Sequence, residues 1–120
     1  MSLITSGIVL LIAVVHLYIM WFEMFRWTSK GPKVFKQFPK DLFEPTRAMA
    51  ANQGLYNGFL AAGLLWSLFI TNQEWQRNIA LCFLLFVLLA GLYAAATASR
   101  KILFVQALPA AIGIISLFIF

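Results

Sequence analysis

Long apolar runs separated by short charged stretches dominate the sequence. Four runs contain no Asp, Glu, Lys or Arg, and they cover residues 1–22, 48–73, 78–99 and 102–120. A bilayer core of about 30 Å needs roughly 20 apolar residues in a helix, so each run is long enough for one span. The runs are continuous rather than alternating, which favours helices over strands. The pattern predicts an all-α integral membrane bundle of four transmembrane helices, at about 3–25, 48–70, 78–98 and 103–120, in a single domain over residues 1–120.

The composition agrees with a membrane location. Of the 120 residues, 62 % are hydrophobic and 11 % are charged, whereas a soluble domain averages about 45–50 % apolar and about 25 % charged residues. A small chain exposes much of its surface, so it has no room to hide this many apolar side chains from water. The basic residues lie in the connections between runs, so we expect no nucleic-acid partner. The single cysteine, Cys82, excludes an intramolecular disulfide and a multi-cysteine metal site, and we expect no metal and no cofactor.

The Lys and Arg residues predict an orientation. The first connection contains six of them, the third contains two, the second contains one, and the terminal segments contain none. The first and third connections lie on the same side of a four-span bundle, so the bias is eight against one. Because cytoplasmic loops carry the excess of Lys and Arg, we expect these two connections in the cytoplasm and both termini outside.

The first connection has the pattern of an interfacial element. A helix from Pro32 to Phe38 would place Lys33 and Lys36 on one side and apolar side chains on the other. Such a segment can lie at the inner membrane surface, with ammonium groups near anionic lipid. We therefore expect a short amphipathic segment at about 32–43 and contact with the anionic inner leaflet. The lysines expected to make that contact are Lys30, Lys33, Lys36 and Lys40. The alternative is a soluble loop that only satisfies the charge rule.

Polar side chains at membrane depth are the candidate functional residues. His16 and Glu23 are seven residues apart, which is about 10 Å along a helix on nearly the same face. With the predicted orientation, they lie at the same inner depth as the polar residues of the second helix. This favours a pocket open to the cytoplasm over a continuous pore. The predicted ligand-binding residues are His16, Glu23, Asn52, Gln53, Tyr56 and Asn57. The alternatives are hydrogen bonds that only join helices, and a Glu23 side chain that extends to the membrane interface or pairs with Arg26.

Small residues recur every four positions in the second predicted helix. Gly54 and Gly58 form a GxxxG pattern, flanked at the same spacing by Ala50 and Ala62. Such stripes allow helix backbones to approach closely inside a membrane. We expect this helix to be packed centrally in the bundle, and a homodimer through the same stripe is the alternative.

Two motifs resemble a known family. The stretch HLYIMWFEMFRW covers residues 16–27, and ANQGLYNGFLAAG covers residues 51–63, with Lys33-Val34-Phe35 between them. Together they resemble the small bacterial membrane proteins grouped as domain of unknown function 1304. The resemblance extends over nearly the whole chain. It implies a four-helix protein of the bacterial inner membrane, and it marks the six candidate residues without giving them roles.

Three functions fit these observations. The first is a membrane protein that binds or transports a small, partly apolar molecule through the cytoplasm-facing polar pocket. The second is a membrane-embedded enzyme that uses His16 and Glu23 as acid and base on a lipid-like substrate. The third is an accessory subunit that only packs against a partner. The sequence has no catalytic triad, metal cluster or phosphate loop, which counts against the enzyme. We rank the three functions in the order given.

Overall fold

The computed structural model describes residues 1–120 and contains helices but no strands. Its five α-helices are α1 (Leu3–Phe25), α2 (Trp27–Val34), α3 (Arg47–Phe69), α4 (Gln73–Thr97) and α5 (Leu108–Ile119). A 3₁₀ turn at Lys40–Leu42 lies between α2 and α3, and a π-helical turn at Leu103–Ala107 leads into α5. The predicted all-α fold is confirmed.

Helix boundaries follow the apolar runs closely, with one clear difference. The bounds of α1 are those predicted, and α3 is shifted by one residue. By contrast, α4 begins at Gln73, five residues before the predicted start. The side chain of Asn72 explains this, because it accepts a hydrogen bond from the backbone N–H of Trp75 at 3.0 Å and caps the helix. The apolar run shows which part of the helix is long enough to cross the hydrocarbon core of a membrane. The N-terminal capping residue shows where the helix begins.

The first connection folds differently from the predicted amphipathic segment at 32–43. Its helix, α2, begins at Trp27 and ends at Val34, and only the short 3₁₀ turn lies near the end of the predicted segment. Pro32 lies inside α2 rather than at its first position. The chain leaves helical geometry for one residue at Arg26, with φ −128° and ψ 10°. This break reorients the chain so that the ring of Trp27 packs against Phe22 at 6.4 Å.

Two helices are long and apolar enough to cross a membrane. They are α1, with 23 residues, and α4, with 25 residues. Only 28 % and 22 % of their most apolar windows are buried inside the protein, so most of these residues are at least partly exposed. A continuous helical segment of intermediate length, Leu103–Ile119, is also apolar. Helix α3 equals α1 in length, but it carries Asn52, Gln53 and Asn57 along one half.

The chain divides into two compact units. The first unit comprises Met1–Val14 and Leu60–Phe120, and the second comprises Val15–Phe59. The apolar core of the first unit joins the early part of α1, the later part of α3, and helices α4 and α5. Its fully buried side chains include Val9, Leu64, Leu84 and Val87. Two buried hydroxyls pair with each other, those of Thr5 and Ser116, 2.5 Å apart, and the buried hydroxyl of Ser67 donates to the backbone oxygen of Leu64.

The π-helical turn brings α5 against α4 in the first unit. A methyl group on Gly91 of α4 would lie 2.7 Å from the backbone nitrogen of Ala107 and 3.0 Å from its Cα. These distances are too short for any side chain, so glycine is required for this backbone contact. A π turn holds one residue more than an α turn, and here it places Ala107 directly over Gly91.

The second unit has an aromatic centre. The ring of Trp27 lies 5.0 Å from that of Phe43 and 5.8 Å from that of Phe35. Its indole N–H donates to the hydroxyl of Thr46 at 2.9 Å. Gly31 is buried against the Phe43 ring. These contacts fold the connection between α1 and α3 into a compact cap around Trp27.

Candidate functional site

A carboxyl group and an amide meet between α1 and α3 in the second unit. Glu23 lies in the last turn of α1 and is half-buried. Its Oε1 accepts a hydrogen bond of 2.7 Å from Nδ2 of Asn57, which is buried in α3. The same Nδ2 also donates to the backbone oxygen of Gln53 at 3.2 Å. The Asn57 amide therefore donates both to the backbone of its own helix, α3, and to the carboxyl of Glu23 in α1.

No cation neutralises Glu23 within the chain. The structure has one ion pair, between Arg47 and Glu44, and both partners are exposed. Arg26 follows Glu23 by three residues, but it turns away, since its Nη1 donates to the backbone oxygen of Phe25 at 3.1 Å. Its guanidinium lies 5.4 Å from the centre of the Trp21 ring. Glu23 therefore does not pair with Arg26 and accepts a hydrogen bond from Asn57 instead.

Two glycines of α3 allow the close approach of α1. A Cβ on Gly54 would lie 3.0 Å from the backbone oxygen of Met20 and 3.0 Å from Cβ of Glu23. A Cβ on Gly58 would lie 2.5 Å from the sulfur of Met20. The GxxxG pattern therefore faces α1 of the same chain. It brings the Asn57 amide, between the two glycines in sequence, within reach of the carboxyl.

The other predicted site residues divide into a buried and an exposed set. His16, two turns before Glu23 in α1, is fully buried. Asn52 and Gln53 have exposed side chains, and Tyr56 is 66 % exposed. The ring of Tyr56 packs against Phe59, at 6.0 Å between centres. The structure therefore brings together Glu23 and Asn57, and it places Asn52, Gln53 and Tyr56 on the outward side of α3.

Two methionine side chains of α1 pack against the glycines on either side of Asn57. Met20 contacts the position of Gly58, and Met24 lies 2.8 Å from the position of a Cβ on Gly54. Sequence reasoning did not select Met24, although its spacing of four residues after Met20 placed it on the same face. Thioether side chains are flexible and apolar, and they adapt to partners of different shape.

The pair leaves hydrogen-bonding capacity unused. A carboxyl group has two oxygens with about four lone-pair positions, and the Asn57 amide occupies one position on Oε1. Glu23 is half-buried, so part of its surface is exposed. The arrangement provides an acceptor of fixed orientation beside flexible apolar surface, which suits a molecule with one N–H group and an apolar body.

The structure defines an all-α protein with two apolar helices of membrane-spanning length. One of these helices has an acidic residue in its last turn. Comparison with known proteins identifies the family. The chain belongs to the family described as Protein of unknown function (DUF1304), which it matches over residues 10–118. The resemblance seen in the two sequence motifs is thereby confirmed. The uncharacterized protein YpaA of Lactococcus lactis subsp. lactis (strain IL1403) is 32 % identical over 120 residues, covering 98 % of this chain and 99 % of the relative. No solved structure matches the chain.

Proposed function

We propose that this protein crosses the bacterial inner membrane four times and binds a small, partly apolar molecule from its cytoplasmic side. The four spans would be α1, α3, α4 and the segment Leu103–Ile119. The apolar character of α1 and α4 supports two of them. The outward exposure of large apolar side chains, such as Phe69 in α3 and Phe118 and Ile119 in the last segment, supports a lipid environment for the other two. The eight-to-one distribution of Lys and Arg supports a cytoplasmic first connection.

Cysteine accessibility tests this orientation. With Cys82 replaced by alanine, Ser2→Cys and Lys36→Cys each provide a single thiol. A membrane-impermeant maleimide added to spheroplasts should label Cys at position 2 and leave position 36 unlabelled, because the basic connection faces inward. Inverted vesicles should give the opposite result, and a permeant maleimide should label both. Labelling of position 36 in intact spheroplasts contradicts the orientation.

The observation that carries the binding proposal is the carboxyl of Glu23 without a cation partner. Acidic residues are rare within membrane-spanning helices and are functional-site candidates for that reason. Glu23 accepts one amide hydrogen bond, is half-buried, and has no ion pair. A structural role would require only the Asn57 bond, whereas Glu23 is also partly exposed. We assign the accessible part of the carboxyl to the ligand.

The neighbouring residues indicate the chemistry of that ligand. The carboxyl favours an N–H donor such as an amine, and the thioethers of Met20 and Met24 favour an apolar body. His16 would form the buried floor of the same site. Asn52, Gln53 and Tyr56, exposed on α3, would form the rim that an arriving molecule meets first. Gln53 is one turn before Asn57 and accepts from its amide through the backbone, which supports a place beside the pair.

Glu23→Gln tests the binding function directly. The probe is decylamine, with decanol as the neutral molecule of equal chain length, and the protein is in nanodiscs of phosphatidylcholine alone. We expect saturable decylamine binding by the wild type, measured by calorimetry. A hydrogen bond to a charged group contributes about 1.5–3 kcal/mol, so Glu23→Gln should weaken decylamine binding at least about tenfold. Glutamine keeps the volume and can still accept from Asn57.

Glu44→Gln is the matched control, because Glu44 is an exposed carboxyl in the same unit. It should leave decylamine affinity within twofold of the wild type. Equal affinity of wild type and Glu23→Gln contradicts the proposal, and so does equal binding of decylamine and decanol.

The enzyme alternative is less well supported. An acid and base acting on one substrate both need contact with it, but His16 is fully buried while Glu23 is half-exposed. Binding by the carboxyl–amide pair requires only the accessible group. No observation favours the accessory-subunit alternative over binding, because the small-residue stripe at Gly54 and Gly58 faces α1 of the same chain.

A further inference from the structure

Two cations lie against one indole ring in the second unit. The guanidinium of Arg26 lies 5.4 Å from the centre of the Trp21 ring, and the ammonium of Lys30 lies 5.0 Å from it. The two residues are four positions apart in the chain. The ring attracts both cations electrostatically, so both long side chains are held near the same indole.

These cations have no counter-ion in the protein. The ion pair of the structure joins Arg47 and Glu44, and the nearest carboxyl in sequence, Glu23, accepts from Asn57 instead. Two like charges gathered at one ring repel each other, and an anion bound between them removes that repulsion. The pair therefore has the charge, and part of the fixed geometry, of a site for a phosphate group.

The place of Trp21 in its helix indicates where that phosphate comes from. Trp21 lies in the second-last turn of α1, a helix of membrane-spanning length. Tryptophan at such a position prefers the membrane–water interface, at the level of lipid headgroups. Lys33, Lys36 and Lys40 follow in the same cap and are exposed, so the surrounding surface also attracts anions. We propose that Arg26, Lys30 and Trp21 bind the headgroup phosphate of an anionic phospholipid in the cytoplasmic leaflet. This site is independent of the Glu23–Asn57 pair.

Lipid titration followed by native mass spectrometry tests the site. The probe is dioleoylphosphatidylglycerol, with dioleoylphosphatidylcholine as the zwitterionic comparison. A direct hydrogen bond to a charged group is worth at least about a tenfold factor in affinity, so Arg26→Gln with Lys30→Gln should weaken phosphatidylglycerol binding at least about 100-fold. Lys33→Gln with Lys36→Gln removes the same charge from the same cap, and it should weaken binding less than threefold.

A substitution of Trp21 tests the position of the two cations without changing their charge. Trp21→Leu keeps all cations but removes the surface that holds them, and it should weaken phosphatidylglycerol binding about fivefold. Trp21→Phe should restore most of the loss. The proposal is overturned if the two double variants lose affinity equally, or if phosphatidylcholine binds as well as phosphatidylglycerol. Displacement of the lipid by equimolar inorganic phosphate also overturns it, because the site would then serve a soluble anion.

Discussion

Gly91→Leu should lower the free energy of unfolding by at least about 3 kcal/mol, at the upper end of the usual cost of overpacking. A Cβ at this position would meet the backbone nitrogen of Ala107 at 2.7 Å. A backbone atom cannot rotate aside as the end of a side chain can, so α4 and the π-helical turn must separate. The loss is measured as a change in chemical unfolding in detergent micelles, and Gly91→Ala should already show part of it.

Gly7→Leu is the matched control for this prediction. Gly7 also lies inside a long helix, but no atom lies within 4 Å of a Cβ built there. Helix propensity favours leucine over glycine by somewhat less than about 1 kcal/mol, so this variant should be as stable as the wild type or slightly more stable. If Gly91→Leu and Gly7→Leu unfold at the same denaturant concentration, the close contact between Gly91 and Ala107 is wrong.

Trp27→Ala should open the cap between α1 and α3. Large aromatic-to-alanine changes at packed sites cost about 3–5 kcal/mol. Trp27 contacts four phenylalanine rings and donates to Thr46. We expect tryptic cleavage after Lys36 and Lys40 to accelerate by about two orders of magnitude, since each 1.4 kcal/mol of local stability is a factor of ten. The rate of cleavage in nanodiscs is the measurement.

Two further variants locate the cause of that opening. Trp27→Phe retains ring packing but loses the hydrogen bond to Thr46, so it should accelerate cleavage only about fivefold to tenfold. Trp75→Ala removes a tryptophan that is 60 % exposed, and it should leave the cleavage rate unchanged. Similar cleavage of Trp27→Ala and wild type would mean that the aromatic cluster does not stabilise the cap.

The helices were largely predictable, because an apolar run of about 20 residues leaves few other conformations in a chain of this composition. The bounds of α1 follow directly from its run. The structure of the first connection was not predictable in the same way. Its centre depends on contacts between residues far apart in sequence, such as Trp27 with Thr46 and Phe43. Local periodicity over Pro32–Phe38 carries no information about those contacts, so it predicted the wrong helix bounds.

The candidate site was predictable in part for a similar reason. Helix direction placed Glu23 and Asn57 at the same depth, and they are hydrogen-bonded. Periodicity also grouped Gln53 with Asn57, but Asn57 is buried and Gln53 is exposed. A helical wheel shows which residues share a face, and it does not show how far the contact extends around the helix. The positions of the glycines set the width of the contact, because α1 lies against Gly54 and Gly58. Gln53 is exposed and lies outside this contact.

The position of Glu23 near the end of α1 also matters for the synthesis of the protein. Asn57 follows Glu23 by 34 residues, so at about 5–20 residues per second the carboxyl leaves the ribosome roughly 2–7 s before its amide partner. In the proposed membrane arrangement, α1 must be accepted by the insertion machinery during that interval with an unpartnered acid. Near the helix end, headgroup water can solvate the carboxyl. An acidic residue at the depth of His16 would add about 2.5–3.5 kcal/mol to the insertion free energy, so the end of α1 is where an early-synthesised helix can carry this group.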